Sequence, residues 1–418
     1  MISSYCLELK PVPVYTAHMR FLFASMLCLF LIPACVKRDN VNLEINTVNE
    51  TGNEDATVTI DPIQARAAAI ASSLDDGLLA AQVLICGIDG RGKLPVHMEA
   101  LFAEFPPGGV MLFRYNLNAE NDAICALLAE TVSLIRHKAG IPPFMAVDHE
   151  GGTVNRFQRG VATLPAASVY WELFLAEGRE IALAKIEEDS LRAGREISGL
   201  GINMNFAPVA EYITGDNSGF LESRSYGPDP SFTADAAGAF IRGMRQAGIL
   251  CVVKHFPGSA GPDPHYSPSV IKGDRAELDR LVFPFAQVFN HGARAVMIAH
   301  SSVPTMDSEI ASLSPVVMGN WLRGDIGFDG LIISDDFIMA AAGNSSPEEA
   351  AIRSIAAGSD MVLVWPANLR HTHTAFISAI EEGRLSRERL RDAAERIIYE
   401  KLKMGFIISE DLDLRSVE

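Results

Sequence analysis

One segment of the sequence gathers ionisable side chains on a stretch that cannot form a helix. The segment KHFPGSAGPDPHYSPSV at 254–270 combines a Lys-His pair and an Asp-Pro-His triplet with glycines and prolines. An imidazole beside a carboxylate can donate and accept protons, and lysine can hold hydroxyl groups through charge-assisted hydrogen bonds. The composition therefore predicts a loop that carries chemistry.

Further polar residues stand where apolar runs end. Asp148-His149-Glu150 follows the third run, Lys254-His255 ends the fifth, His300 ends the sixth and Ser334-Asp335-Asp336 ends the seventh. If these runs are parallel strands, their carboxyl ends meet on one face. We expect a single site there for a polar ligand, since charged and hydrogen-bonding groups suit a sugar.

The elements that would position these residues recur along the chain. Eight short apolar runs lie at 82–88, 109–113, 143–148, 202–209, 249–255, 295–300, 331–336 and 361–365. Amphipathic stretches separate them, notably at 121–140, 182–201, 232–248 and 346–358, and two more follow at 369–383 and 386–403. This alternation predicts an α/β fold, a single (β/α)8 TIM-type barrel. An open doubly wound sheet is the alternative, but no GxGxxG follows the first run.

Composition excludes several classes of function. The chain has 418 residues, 48% of them hydrophobic, which is enough for a large core. With 52 acidic and 35 basic residues, the net charge of -17 argues against nucleic-acid binding. The six cysteines form no CxxC pair, and no histidine spacing suggests a metal site. We expect no cofactor, and the sequence leaves the oligomeric state open.

The N-terminal residues have the composition of an export signal. Met19-Arg20 precedes an apolar run that is too short to cross a membrane comfortably and that ends in small residues at Cys35. We interpret 1–35 as a signal or lipoprotein leader with Cys35 as the lipidated residue, a conventional cleaved signal being the alternative. Met19 is a second candidate start. The polar segment 36–62 is predicted to be a disordered tether, and 63–418 the folded domain.

Three motifs carry a family resemblance: VDHEGGTVNR at 147–156, KHFPG at 254–258 and ISDD at 333–336. Together they resemble the signatures of glycoside hydrolase family 3, in particular its single-domain bacterial β-N-acetylglucosaminidases, over roughly residues 75 to 405. The resemblance implies a retaining glycosidase that removes terminal β-linked N-acetylglucosamine from peptidoglycan fragments or related glycans. It also implies a covalent glycosyl-enzyme, which requires a carboxylate nucleophile.

The resemblance also implies residue roles. Asp335 matches the nucleophile, and Asp263-Pro264-His265 matches a loop in which His265 is the acid/base and Asp263 orients it. For Asp336 we expect a buried supporting or helix-capping role, and for Glu150 a brace for the Gly-Gly turn. The residues that match sugar-binding positions of the family are Asp148, Arg156, Arg224, Lys254 and His255.

The chain departs from the family pattern at two places. The loop before Asp263 is about two residues shorter than in relatives, and Pro262 and Pro264 favour extended backbone at the residues before them. We therefore expect a stiffer loop that delivers His265 from a different angle. Glu211 stands where relatives tend to carry aspartate, which would reshape the pocket floor.

Several interpretations stay open. The chain could be a catalytically impaired sugar-binding surface lipoprotein, or it could have β-glucosidase-type specificity. In a third reading Lys254 is a Schiff-base lysine of an aldolase-like barrel, which the adjacent His and the Ser-Asp-Asp motif oppose. The leader predicts an exported lipoprotein that contacts the membrane only through its anchor, on the periplasmic or extracellular face.

Overall fold

In a computed structural model of the chain, residues 61–157, 159–339 and 345–407 can be described. Eight short strands form the centre of the fold, and almost all of their residues are buried. Their bounds are β1 Leu84–Gly87, β2 Gly109–Leu112, β3 Phe144–Val147, β4 Met204–Asn205, β5 Leu250–Phe256, β6 Ala295–Ile298, β7 Leu331–Ser334 and β8 Val362–Val364. Each strand lies within or beside one of the predicted apolar runs.

The strands pair in parallel and close into a barrel. Their order is β7-β6-β5-β4-β3-β2-β1-β8, with β1 paired to β2 on one side and to β8 on the other. The last seam, between β7 and β8, is closed by a parallel bridge from Ile333 to Met361, and the Ser334 N–H donates to the Met361 carbonyl at 2.9 Å. The predicted (β/α)8 barrel is confirmed.

Helices cover the outside of the barrel. Their bounds are α1 Pro62–Ser73, α2 Asp76–Gln82, α3 Val96–Glu104, α4 Asn121–Ala139, α5 Ala167–Glu177, α6 Arg179–Gly199, α7 Ser218–Leu221, α8 Pro230–Gln246, α9 Arg275–Leu281, α10 Phe283–Asn290, α11 Pro347–Ala357, α12 Pro366–Glu381 and α13 Arg387–Lys403. Local signals set several ends: the Asp229 carboxylate caps α8, which has proline in its first turn, and Gly140 ends α4 at φ 71°. A π-helix at Val316–Asp325 precedes β7.

The end of α13 lies across the amino ends of the strands and forms a floor. Lys401 is fully buried, donates to Gln82 Oε1 at 3.0 Å and lies 5.1 Å from the ring centre of Phe144, the first residue of β3. Glu400 pairs with Arg294, the residue before β6, at 2.7 Å. The mouth, where the strands end, is therefore at the opposite pole.

None of the helices in the described part of the chain is long and apolar enough to cross a membrane. The predicted leader at 1–35 and nearly all of the tether at 36–62 lie outside the described residues, so Cys35 has no structural account here. The first described helix begins at Pro62, beside the predicted start of the domain.

Candidate active site

A cavity of about 330 Å³ opens at the carboxyl ends of the strands. It brings together seven of the eight predicted catalytic and sugar-binding residues: Asp148, Arg156, Arg224, Lys254, His255, His265 and Asp335. The eighth, Asp263, contacts His265 from outside the cavity wall. The remaining lining includes Glu150, Asp336 and an apolar side with Met111, Phe113, Phe206, Met297, Met339 and Trp365.

Five charged side chains of alternating sign form one continuous chain along the cavity wall. Lys254 Nζ lies at its centre, 2.8 Å from Asp148 Oδ1 and 2.6 Å from Glu150 Oε1. Arg156 bonds the other oxygen of Asp148 at 3.0 Å. Arg224 holds Glu150 with two hydrogen bonds of 2.9 Å. Each of these ions is paired, as buried charges must be.

The pairing keeps the two carboxylates ionised despite their burial. Burial alone would raise the pKa of Asp148, but Lys254 and Arg156 outweigh it and hold that pKa far below its usual value. For Glu150, burial is likewise overcome by Lys254 and Arg224, and the pKa falls to about 2. Burial would lower the pKa of Lys254, yet the two carboxylates raise it. The side chains of the wall are therefore ionised at neutral pH, and their carboxylate oxygens and N–H groups can accept and donate hydrogen bonds to sugar hydroxyls.

His255 is oriented by a buried carboxylate beneath the cavity. Its Nδ1 lies 2.7 Å from Glu211 Oε1, and Ser259 Oγ donates to Glu211 Oε2 at 2.6 Å. Burial raises the pKa of Glu211, but the bonds from His255 and Ser259 reverse the shift and lower it. With Nδ1 occupied by Glu211, Nε2 is the nitrogen of His255 that remains for a ligand.

The shortened loop still delivers His265 to the cavity. The Asp263 carboxylate accepts two hydrogen bonds from His265 at Oδ1: one from the backbone N–H at 2.9 Å and one from ring Nδ1 at 2.6 Å. One expectation for this loop is wrong. Gly261, before Pro262, has φ 80°, a left-handed conformation that glycine adopts freely, instead of extended backbone.

The two carboxylates after β7 both line the cavity, but they have different partners. Asp335 Oδ1 accepts the backbone N–H of Asp336 at 2.8 Å. Asp336 Oδ2 accepts the indole N–H of Trp365 at 2.7 Å, and its Oδ1 accepts the Ile338 N–H at 3.0 Å. These bonds are compatible with the supporting role expected for Asp336, but the residue is half-buried at the cavity edge instead of buried. β7 ends at Ser334, so both aspartates lie in the segment that follows the strand.

Sequence reasoning missed two contributors to the cavity. Glu150 was assigned to the Gly-Gly turn, whereas its side chain links Lys254 to Arg224 within the wall. Trp365 was placed only in the last strand, and its contact with Asp336 gave no local signal. No sequence spacing indicates the contacts of Glu150 either, because Lys254 lies in β5 and Arg224 in a short 3-10 helix at Glu222–Arg224, both far from Glu150 in the chain.

Two histidines near the site are fully enclosed. His300 bonds Ser312 Oγ through Nδ1 at 2.7 Å and the Asp336 carbonyl through Nε2 at 3.0 Å, and burial lowers its pKa. It therefore packs beneath the cavity and supports the segment after β7. His149 is buried against Phe157, with their ring centres 5.2 Å apart, and so it does not face the solvent.

The fold and the cavity together define a class. A (β/α)8 barrel whose strand ends present paired carboxylates, arginines and a lysine to one pocket is built to bind a polyhydroxylated ligand. Among the described residues, no group of three or more His, Cys, Asp or Glu side chains is placed to hold a metal ion.

Comparison with known proteins identifies the family. The sequence profile of the glycosyl hydrolase family 3 N terminal domain matches residues 91–399, and the chain belongs to this family. A protein named beta-hexosaminidase from Methylococcus capsulatus is 34% identical over 281 residues, covering 66% of this chain and 79% of that protein. One of the same name from Chromobacterium violaceum is 38% identical over 265 residues, covering 62% and 71%.

A solved structure agrees. The glycoside hydrolase family 3 β-N-acetylglucosaminidase from Paenibacillus sp. strain FPU-7 matches with a TM-score of 0.74 and 30% identity. The match covers 83% of this chain and 66% of the Paenibacillus chain. The barrel described above is therefore the part that the two proteins share.

Proposed function

We propose that the protein is a retaining glycosidase that removes terminal β-linked N-acetylglucosamine from glycans such as peptidoglycan fragments. The observation that carries this proposal is the position of Asp335 and His265, which line one cavity together with the alternating chain of charges. A nucleophilic carboxylate and a proton donor at one sugar site are the two groups that retaining hydrolysis requires. The beta-hexosaminidase and β-N-acetylglucosaminidase names of the relatives support the same substrate.

The first chemical step forms a covalent intermediate. Asp335 Oδ1 is engaged by the Asp336 N–H, so we assign the attack on the anomeric carbon to Oδ2. As the new ester bond forms, the glycosidic C–O bond breaks and His265 Nε2 gives its proton to the departing oxygen. The leaving sugar thus departs as a neutral alcohol.

The second step returns the enzyme to its starting state. His265, now neutral, takes a proton from water, and the water oxygen displaces the Asp335 carboxylate from the sugar. Asp263 keeps Nδ1 of His265 occupied through both steps, so Nε2 faces the reaction. Asp263 is itself well suited to this, because the bonds from His265 lower the pKa of its carboxyl despite partial burial.

The charged wall would hold the terminal sugar. Asp148 and Lys254 are adjacent and offer an acceptor and a donor to neighbouring hydroxyl groups, with Arg156 beside them. Arg224 is already committed to Glu150 through two N–H groups, so it offers fewer donors to a ligand. An impaired sugar-binding protein was suggested by the short loop, but the presence of His265 in the cavity favours turnover.

Assays on aryl β-N-acetylglucosaminide and aryl β-glucoside test this proposal. We expect the first substrate to be hydrolysed faster, and Asp335→Ala to lower kcat by at least about a thousandfold. A 2-fluoro glycosyl inactivator should add its mass to the peptide that contains Asp335. Undiminished turnover by Asp335→Ala, or labelling at another residue, would contradict the assignment, whereas preferred hydrolysis of the glucoside would contradict only the substrate.

We further propose that the protein is exported and anchored by lipid at Cys35. Support comes from the sequence alone: the charged start at Arg20, the apolar run and the small residues before Cys35. Palmitate fed to expressing cells should label the full chain and should not label Cys35→Ala. Equal labelling of both chains, or recovery of both in the same soluble fraction, would refute the anchor and leave the glycosidase proposal untouched.

A further inference from the structure

One aromatic ring lies among three side chains of the cavity. Phe220, in the short helix α7, is half-buried, and its ring centre lies 6.4 Å from that of His265 and 6.2 Å from that of His255. The guanidinium carbon of Arg224 lies over the same ring, 5.0 Å from its centre. His265 belongs to the loop at 258–270, here called the acid/base loop, whereas His255 ends β5 and Arg224 lies in the 3-10 helix after α7. Phe220 therefore contacts three separate segments.

Buried side chains on either side of Phe220 anchor its helix. Asn217 and Leu221 are both buried. The Asn217 side chain accepts the Thr214 N–H at 2.8 Å and donates to the Tyr212 carbonyl at 3.1 Å. A ring that stands on an anchored helix keeps its position when a neighbouring loop moves. Phe220 is therefore a fixed surface against which the acid/base loop can pack.

The acid/base loop depends on contacts of this kind. The side chains of His265 and Asp263 are 56% and 39% exposed. The bonds between them join residues of the same loop, so they orient the imidazole within the loop and do not hold the loop against the barrel. Two contacts reach from the loop to the segment that carries α7. The Gly261 N–H donates to the Asp216 carbonyl at 2.9 Å, and the His265 ring packs against Phe220.

We propose that Phe220 is a positioning residue that keeps His265 at the cavity. This inference rests on the proposed function, in which His265 gives a proton to the leaving oxygen. A general acid acts only within hydrogen-bond reach of its target, and a displacement of about 1 Å can lower the rate about a hundredfold. Without the ring, the loop loses a contact with the barrel while its bonds to Asp263 remain. His265 would then keep its orientation within the loop but lose its place beside the substrate.

Two glycosides that differ in their need for a proton test this role. Phe220→Ala should lower kcat/KM on methyl β-N-acetylglucosaminide roughly 10- to 100-fold, but on the 2,4-dinitrophenyl glycoside less than about threefold, because that leaving group departs unprotonated. Phe220→Tyr keeps the ring and should show wild-type kinetics on both glycosides. Phe283→Ala removes a ring that is 38% exposed on the outer helix α10 and is the matched control.

The same substitution in the His265→Ala background shows whether Phe220 acts through His265. If it does, the double variant should match His265→Ala on both glycosides, because the group that Phe220 positions is already gone. A further loss in the double variant would overturn the proposal. Equal losses on the two glycosides in Phe220→Ala would also overturn it and would indicate that Phe220 acts on the sugar through Arg224 instead.

Hydrogen exchange measures the position of the loop without turnover. Phe220→Ala should speed amide exchange in peptides from 258–270 by roughly 3- to 10-fold, the value of one aromatic contact, and leave exchange in α13 unchanged. Unchanged exchange in the loop would overturn the proposal. If the wild type hydrolyses no glycoside, the proposed function fails, and the exchange rates still decide whether Phe220 holds the acid/base loop.

Discussion

The Nδ1 atom of His265 lies 2.6 Å from Oδ1 of Asp263, two residues earlier in the chain. The same carboxylate oxygen accepts the His265 backbone N–H, so both hydrogen bonds form between residues two positions apart in the loop. This arrangement fixes which ring nitrogen faces the cavity without help from any other element. The acid/base function can therefore reside on a loop whose length differs from that of relatives.

If His265 donates a proton to the leaving oxygen, its loss should matter most for poor leaving groups. His265→Ala should lower kcat/KM on methyl β-N-acetylglucosaminide by roughly a hundred- to ten-thousandfold. A 2,4-dinitrophenyl glycoside, which departs without protonation, should lose much less. His371→Ala, an exposed histidine on α12, is the control. Equal losses on both substrates would argue for a binding role instead.

Glu150 should stabilise the fold in a defined pH window. Its folded pKa is about 2, below the unfolded value of about 4.3, so its contribution is complete above about pH 4.3 and is lost as pH falls toward 2. Glu150→Gln should lower the free energy of unfolding by about 3 kcal/mol at pH 7, because it breaks a buried ion pair. Urea titrations at pH 7 and pH 3 measure this, and the difference should shrink at pH 3.

A surface pair provides the comparison for Glu150. Glu120 bonds Arg159 at 2.7 Å, and their side chains are 78% and 58% exposed. Glu120→Gln should change the free energy of unfolding by less than about 1 kcal/mol at either pH. If the two variants behaved alike, the charged wall would not be the stabilising network that its geometry indicates.

Glu211 should act through the orientation of His255. Glu211→Ala leaves Nδ1 of His255 without its carboxylate, and an unpaired buried group costs about 1–3 kcal/mol, so kcat/KM should fall roughly 5- to 150-fold. Glu211→Asp retains a carboxylate and should restore part of the loss. Ser259→Ala removes only the second contact of Glu211 and should have a smaller effect. Equal activity in all three variants would refute this positioning role.

Lys401 should make stability depend on pH in the alkaline range. Burial lowers its pKa to about 7, whereas an unfolded lysine has a pKa of about 10.4. Between these values the unfolded state binds more protons, so this residue makes the free energy of unfolding rise with pH, by at most about 1.4 kcal/mol per pH unit. Denaturation at pH 7, 8 and 9 should give a shallower rise for Lys401→Met than for the wild type. Lys403→Met, at an exposed position of α13, should keep the wild-type slope.

The sequence predicted the barrel well because the signals for its strands and helices are local. Each strand is a short buried run, and each major helix an amphipathic stretch, so composition within ten or twenty residues is enough. The positions of Lys254 and Asp335 followed in turn, since the carboxyl ends of barrel strands must meet. The motifs then assigned roles that remain predictions until they are measured.

The sequence could not reveal contacts between residues that lie far apart in the chain. Phe113 and Trp365 stack across the junction of β2, β1 and β8, although they stand at opposite ends of the barrel sequence. Glu150 meets Arg224 because the 3-10 helix at Glu222–Arg224, in the segment between β4 and α8, lies beside the mouth. Neither pair has a periodicity or a motif, because the partner of each is selected by closure of the barrel.

The first described residues pack against α13, the helix that closes the floor of the barrel. Asp61 accepts a hydrogen bond from the Tyr399 hydroxyl at 3.1 Å, and Gln64 bonds Glu395 on the same helix, α13. The first described residue therefore lies at the pole of the barrel remote from Asp335.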